Sequence, residues 1–268
     1  MKMRFLTGLF GLSALLLVAT GCRKQDDPVA LITNPIGTGS SPSGQDTAGG
    51  LQFRFSPVVN GQPLVLDSAW YTNTSGDSFR VSSYRYYVSH VALHSPDGSV
   101  TTLPETYMLI DARLPELRSI KGIRSGTYDR ISFMIGVDSA HNVSGAQDGD
   151  LSQAKGMFWD WKSGYIMSKL EGFSPQSTIP GTAFFYHVAG YTGKYNALRT
   201  VELPLPSPLR VAAGKMPTLQ VQSDIASWFS GTTPISIRDL SAIMSVGPES
   251  VALANNYIKG FSIVRIDP

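Results

Sequence analysis

The chain has 268 residues, 22 Lys and Arg against 20 Asp and Glu, and an ordinary 42% of hydrophobic residues. Lys2 and Arg4 fall in a leader without acids, so the remainder carries 20 side chains of each sign and a formal charge of zero. No clustered positive surface is implied, which excludes nucleic acid as a partner, and the length suffices for one sizeable core.

Residues 1–21 read as a lipoprotein signal peptide. Lys2 and Arg4 form a positive start, Phe5 to Val18 an apolar run, and Ala19-Thr20-Gly21 a small-residue cleavage site. The run is shorter than the roughly 20 residues that span a bilayer as a helix. It ends at Cys22, the only cysteine of the chain, which has no internal disulfide partner and sits where a thiol is acylated. Lipidation of Cys22 would make the membrane a partner through the anchor, each buried methylene contributing about 0.8 kcal/mol.

Residues 22–50 follow as anchor and flexible tether, rich in Gly, Ser, Pro and Thr and without an apolar period. Gln25-Asp26-Asp27 resemble the acidic export signals of surface lipoproteins in Bacteroidetes-type bacteria. The expected location is the outer membrane, on its periplasmic or cell-surface face.

From Leu51 the texture changes to short apolar or alternating runs between turn residues. Leu51 to Phe55 alternates, Asn60-Gly61 turns, and Phe79 to Leu93 is a long Tyr- and Val-rich run closed by Pro96-Asp97-Gly98. Further strands are predicted at Tyr107 to Ile110, Tyr128 to Val137, Tyr165 to Leu170, Ala183 to Val188, Arg199 to Leu205, Pro217 to Gln222 and Gly260 to Ile266. Helical turns are predicted only within Ile225 to Phe229 and from Glu249 to Tyr257, the latter opening after Pro248. The pattern predicts an all-β fold over 51–268: a two-sheet antiparallel β-sandwich with one or two short helices.

The chain lacks a G-x-S-x-G elbow, an H-E-x-x-H pair, a phosphate loop and a G-x-G-x-x-G turn, so no enzyme activity is expected. Asp148-Gly149-Asp150 reads as a solvated turn, because Trp159 stands where a calcium loop needs its closing Glu. Phe158-Trp159-Asp160-Trp161, between Gly156 and Gly164, gathers two of the four tryptophans. Such a cluster suits a core layer or a carbohydrate-binding face.

Several segments together resemble the MbnP-like family, in a Bacteroidetes-type lipoprotein branch. They are Tyr86-Tyr87-Val88-Ser89 with Val91 and Leu93, Phe133-x-Ile135-Gly136-Val137-Asp138, Asn142-x-Ser144-Gly145, Gly156-Met157-Phe158-Trp159-x-Trp161, Gly164-Tyr165, Leu170-Glu171-Gly172, and His187 with Gly190. The resemblance implies an exported β-sandwich that binds one copper ion through histidines and a tryptophan oxidised to kynurenine. It also implies a di-haem peroxidase-like partner that performs the oxidation. Indole offers a metal no lone pair, whereas its ring-opened product presents an aromatic amine beside imidazoles.

On this resemblance the metal ligands are His187, after an aromatic strand, then His141 and His90, with Trp159 as the oxidised residue and Trp161 next. His90 and His94 would share a face of a regular strand about 13 Å apart, too far for one ion. The alternative function is a metal-free surface module that binds a partner protein or glycan.

Overall fold

The computed structural model describes residues 48–160 and 162–268. The expectations for the 1–21 leader, for Cys22, for the tether up to residue 47 and for Trp161 lie outside the described residues.

The first strands are β1 (Ala48–Val59), β2 (Gln62–Pro63), β3 (Tyr71–Thr72), β4 (Ser78–His94), β5 (Val100–Thr102), β6 (Met108–Asp111), β7 (Leu117–Arg124) and β8 (Gly126–Ile135). After the short helix α1 (Ser139–Val143) come β9 (Ile166–Phe173), β10 (Ala183–Ala189), β11 (Arg199–Val211) and β12 (Thr218–Asp224). The chain closes with α2 (Ala226–Phe229), β13 (Ala242–Ile243), α3 (Pro248–Tyr257) and β14 (Phe261–Asp267).

One sheet runs β14-β12-β1 with β2 and β7 also against β1; the other runs β11-β8-β4-β9-β10-β13 with β3, β5 and β6 against β4. Their inner faces meet through aromatic residues. Phe261 of β14 lies 5.5 Å from Tyr86 of β4 and 5.7 Å from Phe133 of β8, and Phe55 of β1 lies 6.2 Å from Tyr86. The result is the expected all-β sandwich. Most pairings are antiparallel, but β1–β12 and β10–β13 run parallel. A parallel pair needs a long crossover, and the chain between β1 and β12 builds most of the other sheet.

Two local departures from the sequence reading have physical causes. β1 begins at Ala48 rather than Leu51, because Gly49 and Gly50 serve as strand residues where a Cβ would come within 2.5 Å of the Ala212 carbonyl and 2.6 Å of Met216 Cε. β7 has no alternating signal: a register irregularity beside Gly122, at φ +76°, leaves only Ile120 and Ile123 buried.

β4 sets the geometry of the site. Phe79 and Val81, then Tyr84, Tyr86 and Val88, then Val91 and Leu93 point into the main core. Parity changes twice, at pairing irregularities between Val81 and Ser83 and between Ser89 and Ala92. Each extra residue exchanges the faces of everything that follows. β4 pairs with β9 from Arg80 to Tyr86 and with β8 from Val88 to His94. The segment joining β8 to β9, residues 136–165, covers the outer face there. It builds a second core from Val137, Leu151, Met157 and Tyr165 over Tyr87, Leu109, Ile166 and Met167.

Candidate functional site

The excursion starts at Gly136, whose φ is +124° and whose absent Cβ would meet Leu198 and Met167. Asp138 caps α1, its Oδ1 accepting from the His141 amide at 3.0 Å. Asn142, fully buried, donates Nδ2 to the carbonyls of Val137 at 2.7 Å and Asp138 at 2.8 Å, and accepts from the Tyr165 amide at 2.8 Å. One side chain thereby ties the first turn of the excursion to its last residue.

The returning arm is a narrow loop. Phe158 bridges to Tyr165, the Trp159 amide donates to the Gly164 carbonyl at 3.1 Å, and Asp160 Oδ1 accepts from the amides of Lys162 and Ser163. Phe158 and Trp159 are partly buried and pack against the second core. Met157 is fully buried. Asp150 is no solvated turn: its carboxylate accepts from the Leu109 amide and pairs with Arg118, each at 2.9 Å.

Trp159 meets His187. The ring centroids are 6.2 Å apart with planes at 38°, and His187 on β10 is 6% exposed. His187 Nε2 lies 2.7 Å from Glu171 Oε1, which Lys169 Nζ approaches at 3.1 Å. Burial alone would raise the Glu171 pKa, but hydrogen bonds from His187 and Lys169 outweigh it and hold the carboxyl below its ordinary range. A carboxylate only accepts, so Nε2 carries a proton. In the neutral ring Nδ1 then keeps a lone pair, and this buried atom has no hydrogen-bond partner among the described residues.

His90 and His141 stand elsewhere. His187 is opposite Lys169, Lys169 is opposite Arg85, and His90 lies five residues further along β4. Two strand spacings across and five residues along put His90 and His187 about 19 Å apart at Cα. One ion is not shared between them.

His90 occupies the second bulge of β4 at φ +50°, with Nε2 3.5 Å from Asp138 Oδ2. His141 turns to the same carboxylate, Nδ1 to Oδ2 at 3.2 Å, and sits 2.7 Å from the Tyr107 hydroxyl. That hydroxyl makes a short hydrogen bond to Asp138 Oδ2. Burial raises the Tyr107 pKa far above its ordinary value, and the Asp138 and Glu105 carboxylates reinforce the shift. For Asp138, burial pushes upward, but the Tyr107 and His141 donors prevail and the carboxyl titrates below its ordinary range. His94, after the bulge, bonds Ser132 Oγ at 2.8 Å and joins neither group.

Of the residues singled out in the sequence, Trp159 and His187 come together, and His90 and His141 come together separately. Glu171, Asp138, Tyr107 and Glu105 are the additions. Asp138 had a readable signal, an Asp three residues before His141 at a helix start. Tyr107 and Glu105 reach the site from the β5–β6 connection and carry no local signal.

The fold resembles MbnP from Methylosinus trichosporium, which is 18% identical, with 75% of this chain and 83% of that one covered at a TM-score of 0.51. No curated protein matches. The MbnP family matches residues 48–245, a span that opens on the first residue of β1 and takes in both histidine groups. Extending over most of the sandwich and the whole 136–165 excursion, that match shows that the chain belongs to the MbnP family.

Proposed function

We propose that this protein is a lipid-anchored copper-binding member of its family at the bacterial cell envelope, holding the metal with His187 and an oxidised Trp159. It carries no enzyme activity of its own. The observation that supports the reading is a His187 ring 6.2 Å from that of Trp159, with Nε2 anchored by Glu171 and a buried Nδ1 that has no hydrogen-bond partner among the described residues. A ligating imidazole is ordinarily oriented this way, by a carboxylate on its other nitrogen. Imidazole and aromatic amine are nitrogen donors suited to copper.

Oxidation of Trp159 breaks the indole C2–C3 double bond and inserts two oxygen atoms, with peroxide as oxidant and water as its reduced product. Hydrolysis of the resulting formamide releases formate and frees the aromatic amine. A di-haem peroxidase-like partner supplies the oxidation. The chain itself positions the ring, through the Trp159–Gly164 backbone bond and the second core.

The full chain purified from its native host should retain stoichiometric copper, and the peptide containing Trp159 should show the kynurenine mass. Unmodified Trp159 with no retained copper would leave the metal-free binding module in its place. For the anchor, Cys22→Ser should abolish fatty-acid labelling and release the protein to the soluble fraction. A wild-type protein that takes up no labelled fatty acid overturns that part.

A further inference from the structure

The second histidine group has the composition and wiring of a metal site of its own. Ligand atoms from His90, Glu105 and Asp138 lie within 4.8 Å of one another, and His141 Nε2 is 3.9 Å from Glu105 Oε1. The hydrogen bonds at Nδ1 set where each Nε2 points. The Ser89 hydroxyl donates to the Gly136 carbonyl at 2.8 Å, so it receives from His90 Nδ1 at 3.2 Å. His90 Nε2 is then the ring nitrogen that faces the Asp138 carboxylate, at 3.5 Å.

The same reasoning holds for His141. The Tyr107 proton is committed to Asp138, so His141 Nδ1 donates to the Tyr107 oxygen. Its Nε2 faces Glu105. Two imidazoles thus turn Nε2 toward two carboxylates, each ring held through Nδ1 by a neighbour. A divalent cation in the middle would take nitrogen and oxygen ligands from both pairs.

We propose that His90, Glu105, Asp138 and His141 form a zinc-type divalent cation site, separate from the Trp159–His187 pair. Two imidazole nitrogens and two carboxylate oxygens are a donor set zinc accepts in tetrahedral geometry, at about 2.0–2.2 Å. Ligand atoms at that range stand roughly 3.4 Å from one another, so the cluster closes by about 1 Å. The side chains that move are the exposed ones, His90 at 48% and Glu105 at 65%. Asp138 and His141 stay on α1, the first holding the cap. The bulge supplies the remaining element, because the left-handed His90 aims its ring at α1 instead of along the face of His94.

The test uses the full chain, stripped with chelator and titrated with Co2+ alone and then with Zn2+ alone. Saturable visible absorption of four-coordinate Co2+, quenched by Zn2+, is the expected result. His90→Gln and Glu105→Gln alter exposed side chains and should each weaken binding by more than the roughly 10–100-fold that loss of an outer-shell partner costs. His187→Ala should leave it unchanged, which separates this site from the copper reading. Absence of saturable binding overturns the proposal, as does binding that survives both His90→Gln and Glu105→Gln.

Discussion

His187→Ala should remove copper retention from native-host protein while leaving the sandwich folded. The imidazole is the nitrogen donor that the described residues place against the Trp159 ring, and an aromatic amine alone holds copper weakly. Alanine leaves Glu171 paired with Lys169 at 3.1 Å, so no isolated charge is buried, and the stability cost should stay near 1–3 kcal/mol. Glu171→Ala tests orientation separately: it keeps both donors but frees the ring, and should weaken copper roughly 10–100-fold. His94→Ala should change nothing, since its ring is spent on Ser132. Competitive copper titration of the three variants decides the matter, and retention of wild-type affinity by His187→Ala refutes the assignment.

Much of the sandwich was legible because period-2 alternation is a local property. β4, β10, β12 and β14 were readable from Tyr, Val, Phe and Ile spacing, and α3 from the Pro that starts it. What escaped was set by residues far away. Gly49 and Gly50 look like linker until Ala212 and Met216 crowd them, and β7 acquires its identity by pairing with β1. The shared face expected for His90 and His94 failed for the same reason, since a bulge is visible only once the β8 partner is aligned. In the site, family resemblance pointed to Trp159 with His187, a contact across 28 positions that no local period encodes. Of the carboxylates that orient the histidine groups, Asp138 had a helix-start signal, whereas the roles of Glu171 and Glu105 came only from packing.

Asn142→Ala should destabilise the protein by about 2–4 kcal/mol and loosen both histidine groups together. The amide is fully buried, and its loss leaves the Tyr165 N–H unpaired and removes a donor from the Val137 and Asp138 carbonyls. Each buried polar group left unsatisfied costs about 1–3 kcal/mol, although the Asp138 carbonyl keeps the Asn142 amide as a donor. Gly164 is the other half of the staple. At φ +75° it approaches so closely that an added Cβ would lie 2.1 Å from Asn142 Oδ1 and 2.9 Å from Tyr191 Cε1. Gly164→Ala should therefore cost a comparable amount. The double variant should lose less than the sum, because removing the Asn142 amide relieves the shorter of the two clashes. Urea unfolding of the four proteins measures that coupling. Strict additivity would show that Asn142 and Gly164 act independently, and a stable Asn142→Ala protein would show that the second core alone fixes the loop that sets Trp159 against His187.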